Sequence, residues 1–220
     1  MIGGKLYVVG GCINSDCNST TTRLEIYDPV SDVWTSGAPM PTARFNMAVA
    51  VIAGRLYVAG GEACCYSPVS TVEVYDPSTD TWLSKGPLPT ANSGPAAAVA
   101  SGVLYVIGGS NTSGYLSTVE AYDPVTDTWT AKTPLPTATA SSAAGVVNGI
   151  IYVAGGTTAS VNGVSTVEAY DPTTDRWTAQ APMPTARQSL LGAVVSGRFY
   201  AVGGVNVQNV ALATNESYQP

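Results

Sequence analysis

The feature that most constrains this chain is an eight-residue motif that returns at a nearly constant interval. Four copies read Tyr-Asp-Pro-x-x-Asp-x-Trp, and a fifth is present as Tyr-Gln-Pro. A motif that occurs once per repeat is expected to belong to the structural frame rather than to a single reactive site. We call it the corner motif. Its copies, spaced by 48, 47, 48 and 48 residues, begin at Tyr27, Tyr75, Tyr122, Tyr170 and Tyr218.

A glycine pair recurs in phase with the corner motif. In the second repeat it is Gly60-Gly61, three residues after Tyr57. The in-phase glycine, tyrosine and tryptophan positions are predicted to be structural. They are Gly10, Gly11, Tyr27, Trp34, Gly60, Gly61, Tyr75, Trp82, Gly108, Gly109, Tyr122, Trp129, Gly155, Gly156, Tyr170, Trp177, Gly203 and Gly204.

Each repeat contains four segments that we interpret as strands A to D. In the second repeat, strand A is an apolar run at 45–51, strand B lies at 55–61 and strand C at 70–76, and strand D begins at Trp82. No segment has a helical period of 3.6 residues. The pair Ala53-Gly54 between strands A and B is suited to a tight hairpin, because glycine adopts positive φ without penalty.

The repeated set of four strands predicts an all-β fold, a β-propeller with four-stranded antiparallel blades. The apolar strand, the Tyr-x-x-Gly-Gly strand and the Tyr and Trp of the corner motif together resemble the kelch repeat. This family includes galactose oxidase and the kelch substrate adaptors. The resemblance covers nearly the whole chain and implies the fold, but it does not imply one function.

In a kelch propeller the corner motif has a structural interpretation. Its first Asp and its Pro would form the turn between strands C and D, and its second Asp would bond backbone N–H groups. Tyr and Trp would pack between blades. Calcium binding by the paired aspartates is the disfavoured alternative, since the pairs lie on separate blades.

We predict one propeller domain over residues 1–220, with blades of 47–48 residues and about 4.5 blades present. The sequence contains four A, five B, five C and four D strands. We therefore expect a piece of a larger propeller. A five-blade ring with two incomplete blades, or self-association through open blade edges, is the alternative. The predicted units are 1–43 (incomplete), 44–91, 92–138, 139–186 and 187–220 (incomplete).

Composition excludes several classes of function. The chain has no histidine, which removes histidine-based acid–base catalysis and the copper ligands of galactose oxidase. The net charge of −6 disfavours nucleic acid as a partner. No apolar run approaches the ~20 residues that span a bilayer, and no signal peptide is visible.

We expect no cofactor and no metal. The compartment stays open, with a slight compositional preference for export.

The four cysteines allow several states. Cys12 and Cys17, then Cys64 and Cys65, fall in the predicted B–C loops of neighbouring blades. A disulfide between Cys12 and Cys17 and free thiols are both compatible with the spacing. A zinc site is disfavoured, because the vicinal pair cannot easily direct four thiolates at one ion.

Subtracting the repeated frame leaves few residues with distinctive chemistry, and they fall in the B–C and D–A loops. In a propeller these loops share one face, opposite the A–B and C–D turns. Variable loops on a regular scaffold are where binding usually resides. Asp16 is also left over, and the predicted binding residues are Arg44, Glu62, Tyr66, Asn92, Asn111, Tyr115 and Arg187.

Arg44 and Arg187 precede strand A in their units, where the other units carry Asn92 and Thr139 or Ala140. In kelch adaptors, arginines at the matching position face the ligand, so the resemblance implies a clamp for a carboxylate or an acidic peptide. The alternative is a structural arginine that bridges blades.

Two classes of function follow. The first is a non-catalytic interaction scaffold that binds a protein, peptide or glycan through the B–C and D–A loop face, with no catalytic residue. The second is a carbohydrate-active enzyme that resembles the kelch-type sialic acid epimerase. For this alternative, Glu62 with Arg44 is the one charged pair that the loops offer. We favour the first.

Overall fold

A computed structural model of the chain describes residues 1–14, 17–64 and 67–220. All regular elements in this part of the chain are β-strands, which confirms the predicted all-β class. A search of the same residues finds no helix able to cross a membrane. The chain divides into two compact units, Met1–Ser93 and Gly94–Pro220.

The first unit contains two antiparallel sheets, each within one predicted blade. The first sheet has three strands, which occupy positions B, C and D. They are β1 (Leu6–Val9), β2 (Leu24–Asp28) and β3 (Val33–Ser36). The second sheet has all four, in order A to D. They are β4 (Ala48–Ile52), β5 (Arg55–Ala59), β6 (Val72–Asp76) and β7 (Thr81–Ser84).

The second unit contains two four-stranded sheets, one three-stranded sheet and a short hairpin in a B–C loop. The third blade consists of β8 (Ala96–Ala100), β9 (Val103–Ile107), β12 (Val119–Asp123) and β13 (Thr128–Ala131), with the hairpin β10 (Ser110–Asn111) and β11 (Gly114–Tyr115). The fourth consists of β14 (Ala143–Val147), β15 (Ile150–Ala154), β16 (Val167–Asp171) and β17 (Arg176–Ala179). The fifth consists of β18 (Leu191–Val195), β19 (Arg198–Val202) and β20 (Asn215–Tyr218).

The A–B connections are two-residue hairpins, as the sequence predicted. Between β4 and β5, Ala53 has φ 49° and Gly54 has φ 76°. Positive φ at both central residues is typical of a type I′ turn, whose twist matches that of the strands. The alanine accepts this conformation even though its Cβ disfavours it.

The corner motif forms the C–D turn through its two aspartates, which have different tasks. In the second blade, the Asp76 carboxylate accepts the backbone N–H of Ser78 at 2.9 Å. Asp80 has φ 52°, a left-handed conformation that aspartate tolerates better than most residues. Its carboxylate accepts the hydroxyl of Tyr75 at 2.7 Å. The Tyr75 ring packs on Trp82 with centroids 5.2 Å apart.

The same residues also connect one blade to the blade before it. Asp80 accepts the backbone N–H of Ala38 at 2.7 Å, and the Trp82 indole donates to the Ala38 carbonyl at 2.8 Å. Both backbone groups of one residue in the D–A connection are therefore bound by the next corner motif. In the second unit, Asp175 and Trp177 bind the N–H and carbonyl of Thr133 in the same way, each at 2.9 Å.

The cores lie between consecutive sheets within each unit and consist of aliphatic and aromatic side chains. In the first unit, Tyr75 is buried together with Leu24, Met40, Leu56 and Val58. In the second unit, Tyr170 takes the equivalent place, and its hydroxyl donates to Asp175 at 2.6 Å. The predicted packing of tyrosine between blades is thus observed in both units, and it fixes where the connecting loops begin.

We expect Asp80→Ala to lower the midpoint of thermal unfolding by several degrees, because it removes the acceptor for both Tyr75 and Ala38. The two donors hold the pKa of Asp80 below its usual range. A depressed pKa contributes stability above the unfolded value of ~3.9, which is lost as the pH falls through the folded pKa. Differential scanning calorimetry from pH 7 to pH 3 should therefore show the difference in thermal midpoint between wild type and Asp80→Ala becoming smaller as the pH falls.

The control is Asp32→Ala. Asp32 has the same left-handed conformation, φ 56°, and accepts the Tyr27 hydroxyl at 2.7 Å, but within the described residues it makes no hydrogen bond to a neighbouring blade. Asp32→Ala should lower the midpoint of thermal unfolding by clearly less than Asp80→Ala does. Equal losses would mean that the bond to Ala38 contributes nothing.

Candidate functional site

The two arginines that the sequence marked for ligand binding are buried. Arg44 lies immediately before Phe45 at the entry to the second blade, and Arg187 occupies the matching place in the fifth. Both residues are 0% exposed. Burying a charged guanidinium is costly unless a partner compensates, so the partners of each arginine define what it does.

Arg44 pairs with the strand C glutamate of its own blade. Its Nη1 lies 2.9 Å from Oε2 of Glu73, a contact of opposite charges that lacks hydrogen-bond alignment. Nη2 donates to the Val58 carbonyl at 3.1 Å. The other oxygen of Glu73 accepts the Thr42 hydroxyl at 2.8 Å. Burial lowers the pKa of Arg44, and the Glu73 charge acts in the opposite direction.

Arg187 repeats this arrangement in the fifth blade. Its Nη2 lies 2.7 Å from Oε1 of Glu216. Nη1 donates to the carbonyls of Gly203 at 3.1 Å and Thr214 at 3.2 Å, while Nε donates to the Thr185 carbonyl at 3.3 Å. One carboxylate and three backbone carbonyls thus surround this guanidinium.

The structure therefore places Arg44 and Arg187 where a ligand cannot reach their side chains, and we do not carry them forward as ligand-binding residues. The alternative, a structural arginine, fits this burial better. It was expected to bridge two blades, whereas each observed ion pair lies within one blade. The charged pair of Glu62 with Arg44 does not form either. Glu62 is nearly buried and accepts the hydroxyl of Ser93 at 2.8 Å.

The other predicted binding residues differ in accessibility. Asn92 is buried, and its backbone carbonyl accepts the N–H of Gly61 at 2.9 Å. Asn111 and Tyr115 are partly exposed on the hairpin of β10 and β11, where the Asn111 side chain accepts the N–H of Ser113 at 2.8 Å. Tyr66 lies outside the described residues.

The cysteines divide between the two states that the sequence left open. Cys12 and Cys17 form a disulfide that closes part of the first B–C loop. Cys64 is a free, exposed thiol. Cys65 and Asp16 lie outside the described residues. Within the described ranges, no three His, Cys, Asp or Glu side chains come together as metal ligands would.

Sequence reasoning missed a set of exposed apolar side chains in the B–C loops. Their exposed fractions range from 41% to 64%. The sequence did contain a signal, since isolated apolar residues stand there among Gly, Ser, Asn and Thr. They are Ile13 in the first unit, and Val161, Val207 and Val210 in the second.

Removing one partner of the buried pair should destabilise the chain strongly. We expect Glu73→Gln to lower the free energy of unfolding by about 3–5 kcal/mol, because Arg44 would remain buried without a counter-charge. Urea unfolding monitored by tryptophan fluorescence measures this loss. The control is Lys5→Ala, which removes an exposed ion pair of 3.2 Å with Asp28 and should cost only about 0–1 kcal/mol. A loss for Glu73→Gln no larger than the control would contradict the structural assignment.

The disulfide should raise the free energy of unfolding only moderately, because the loop that it closes is short. Replacing Cys12 and Cys17 together by serine should cost about 2 kcal/mol on the chain-entropy model, since the two cysteines are 5 residues apart. Urea unfolding with and without dithiothreitol measures the cost. Wild type should be sensitive to the reductant and the double variant insensitive. A reductant effect of the same size in both would contradict a role for this disulfide.

Comparison with known proteins agrees with this architecture. The family model described as the KLHDC2/KLHL20/DRC7 Kelch-repeats domain matches residues 1–204. A segment of 61 residues, 28% of the chain, is 43% identical to the influenza virus NS1A-binding protein homolog of Mus musculus. Another of 63 residues, also 28%, is 35% identical to the kelch-like protein terF of Aspergillus terreus. These matches span only 9% and 14% of the relatives' own length.

Among solved structures, that of YjhT superposes with a TM-score of 0.88 at 17% identity, over 100% of this chain and 79% of that one. Because the sequence identity is this low, the superposition is evidence for the fold alone. It confirms the predicted β-propeller. The match over residues 1–204, together with the in-phase glycine pairs and corner motifs, shows that the chain belongs to the kelch-repeat family.

Proposed function

We propose that this chain is a non-catalytic interaction scaffold that binds a partner protein through its B–C loops. The single observation that carries the proposal is where the repeats differ. The A–B and C–D turns keep one geometry from blade to blade. The B–C loops contain a disulfide in one blade, a hairpin in another and exposed apolar side chains in several. Such variation on a constant frame is typical of binding loops.

The exposed side chains of these loops fit a protein partner better than a small polar ligand. In the second unit, Val161 is 45% exposed and Val210 is 57% exposed, and Tyr115 is partly exposed. Aromatic and aliphatic side chains at the surface supply the apolar centre that protein interfaces bury. Charged residues are scarce there, which disfavours recognition of a phosphate or a nucleic acid.

The relatives support the same class of function. One of them is named for binding the influenza virus NS1A protein, and others are kelch-like proteins. Because they align over a small part of their length, their particular partners are not transferred to this chain. The scaffold function is what the shared repeat supports.

The carbohydrate-active alternative gains no support from the loops. Glu62 and Arg44, the charged pair that the loops offered for this activity, have separate partners. Glu62 accepts the Ser93 hydroxyl, and Arg44 contacts Glu73. A glycan is the other ligand class predicted for the scaffold, so the binding experiment includes it.

Substitutions in the loops should weaken partner binding, whereas a substitution at a more exposed position on a turn should be tolerated. We expect Val161→Asp and Tyr115→Ala to lose at least tenfold in affinity, since a charge or a truncation removes apolar contact area. The control is Val125→Asp, at a corner-motif position that is 91% exposed.

The measurement is quantitative affinity purification from cells of the source organism with all three variants, followed by titration of each protein that wild type retains. A glycan array runs in parallel. Proteins retained by Val125→Asp but lost by both loop variants support the proposal. Retention by all three variants, or binding only to glycans, would overturn it.

A further inference from the structure

The fourth blade contains a cavity at the place where the fifth blade holds its buried arginine. Thr139 occupies the position that corresponds to Arg187, since both follow the segment Pro-Thr-Ala in their repeats. The backbone confirms the equivalence. The Thr139 carbonyl accepts the N–H of Gly109, and the Arg187 carbonyl accepts that of Gly156, both at 2.9 Å. The threonine side chain is much shorter, so the space beyond it is open.

The cavity is lined by the counterparts of the groups that hold Arg187. The partners of that guanidinium are the carbonyls of Thr185, Gly203 and Thr214 and the carboxylate of Glu216. The equivalent positions one repeat earlier all line the cavity: they are Thr137, Gly155, Thr166 and Glu168.

The geometry of the lining is retained as well. The Gly155 N–H donates to the Thr166 carbonyl at 3.0 Å, as the Gly203 N–H donates to the Thr214 carbonyl at 2.9 Å. The Thr139 hydroxyl is directed elsewhere, to the Thr157 carbonyl at 3.0 Å. The acceptors that surround a guanidinium in the fifth blade are therefore in place around the cavity of the fourth.

The carboxylate in this cavity lacks the counter-charge that two of its equivalents have. Glu73 and Glu216 each contact an arginine, whereas no hydrogen bond or ion pair to Glu168 exists within the described part of the chain. Burial raises the pKa of Glu168. A cation that entered the cavity would relieve this cost.

The size of the cavity fits a small planar cation. Its volume is about 50 Å³, several times the ~10–15 Å³ that one water molecule needs on this measure. Val153 and Val164 also line the cavity, so an apolar wall lies beside the carboxylate and the backbone acceptors. This combination suits a flat cation with several N–H donors. An alkylguanidinium presents five such donors in a plane, whereas an ammonium presents three from one point.

We propose that this cavity binds a guanidinium group, held by the carboxylate of Glu168 and the backbone carbonyls of Thr137, Gly155 and Thr166. The group comes either from a small alkylguanidine in solution or from an arginine side chain of another protein. The proposal goes beyond the scaffold function, because it concerns a cavity inside one blade and does not depend on the apolar loop residues.

The test is titration of the wild-type chain with methylguanidine, monitored by two-dimensional NMR of the backbone amides. We expect shifts centred on Gly155 and Thr166, with a dissociation constant in the millimolar range. A tripeptide Gly-Arg-Gly should compete if an arginine side chain can enter, and Gly-Lys-Gly should not. Binding of methylguanidine without competition by the arginine peptide identifies a free solute as the ligand.

Two variants test the assignment of the site. Thr139→Arg supplies the missing side chain, and it should abolish methylguanidine binding while raising the thermal midpoint by a few degrees. Glu168→Gln should weaken binding at least tenfold, and it keeps the test available if the first variant does not fold. Glu25→Gln, at an exposed position of strand C in the first blade, is the matched control and should bind as wild type does.

Absence of methylguanidine shifts at Gly155 and Thr166 in wild type would overturn the proposal. So would unchanged binding in Glu168→Gln, or displacement of bound methylguanidine by the lysine peptide at least as effective as that by the arginine peptide. None of these outcomes bears on the scaffold function, whose test uses different residues and a protein partner.

Discussion

The second aspartate of the corner motif joins three parts of the chain at one carboxylate. Asp80 accepts the hydroxyl of the tyrosine that begins its own motif and the N–H of Ala38, a residue that precedes it by 42 positions. The Trp82 indole occupies the carbonyl of that same residue. These bonds satisfy both backbone groups of a residue that belongs to no strand, and they fix how the chain enters the next blade. The Tyr75 ring is buried while its hydroxyl is bound by the same carboxylate, so the core and the connection between blades share one acceptor.

The fold was predictable because each of its elements has a local cause that repeats. The glycine of each A–B turn adopts positive φ, and the Asp and Pro of the corner motif form the C–D turn, so a chain without helical periodicity has to reverse direction at fixed intervals. The turn chemistry also predicted that the second aspartate would bond backbone N–H groups, but it did not predict that Asp80 bonds Ala38. That partner belongs to a different repeat, and a spacing pattern does not contain contacts between repeats.

The candidate site was predicted less well, for a physical reason. Position along the chain indicated that Arg44 and Arg187 precede strand A, but it did not indicate the direction of their side chains. Every blade has a strand C glutamate, so the glutamates alone could not reveal which of them has a counter-ion. The decisive quantity was the 0% exposure of the two arginines, which depends on packing. The apolar loop residues had a visible signal in the sequence, but only charged, polar and aromatic side chains were predicted to bind.

The corner motif has a consequence for how such chains grow. The second and fourth repeats each bring an Asp carboxylate and a Trp indole, and the repeat before each of them offers one backbone N–H and one carbonyl, from Ala38 and Thr133. The acceptor and donor sets are therefore the same at these two joints, although the loops differ. A duplicated segment of this length would arrive with a compatible joint already encoded, so unequal recombination can lengthen the array while the loops of each copy diverge independently.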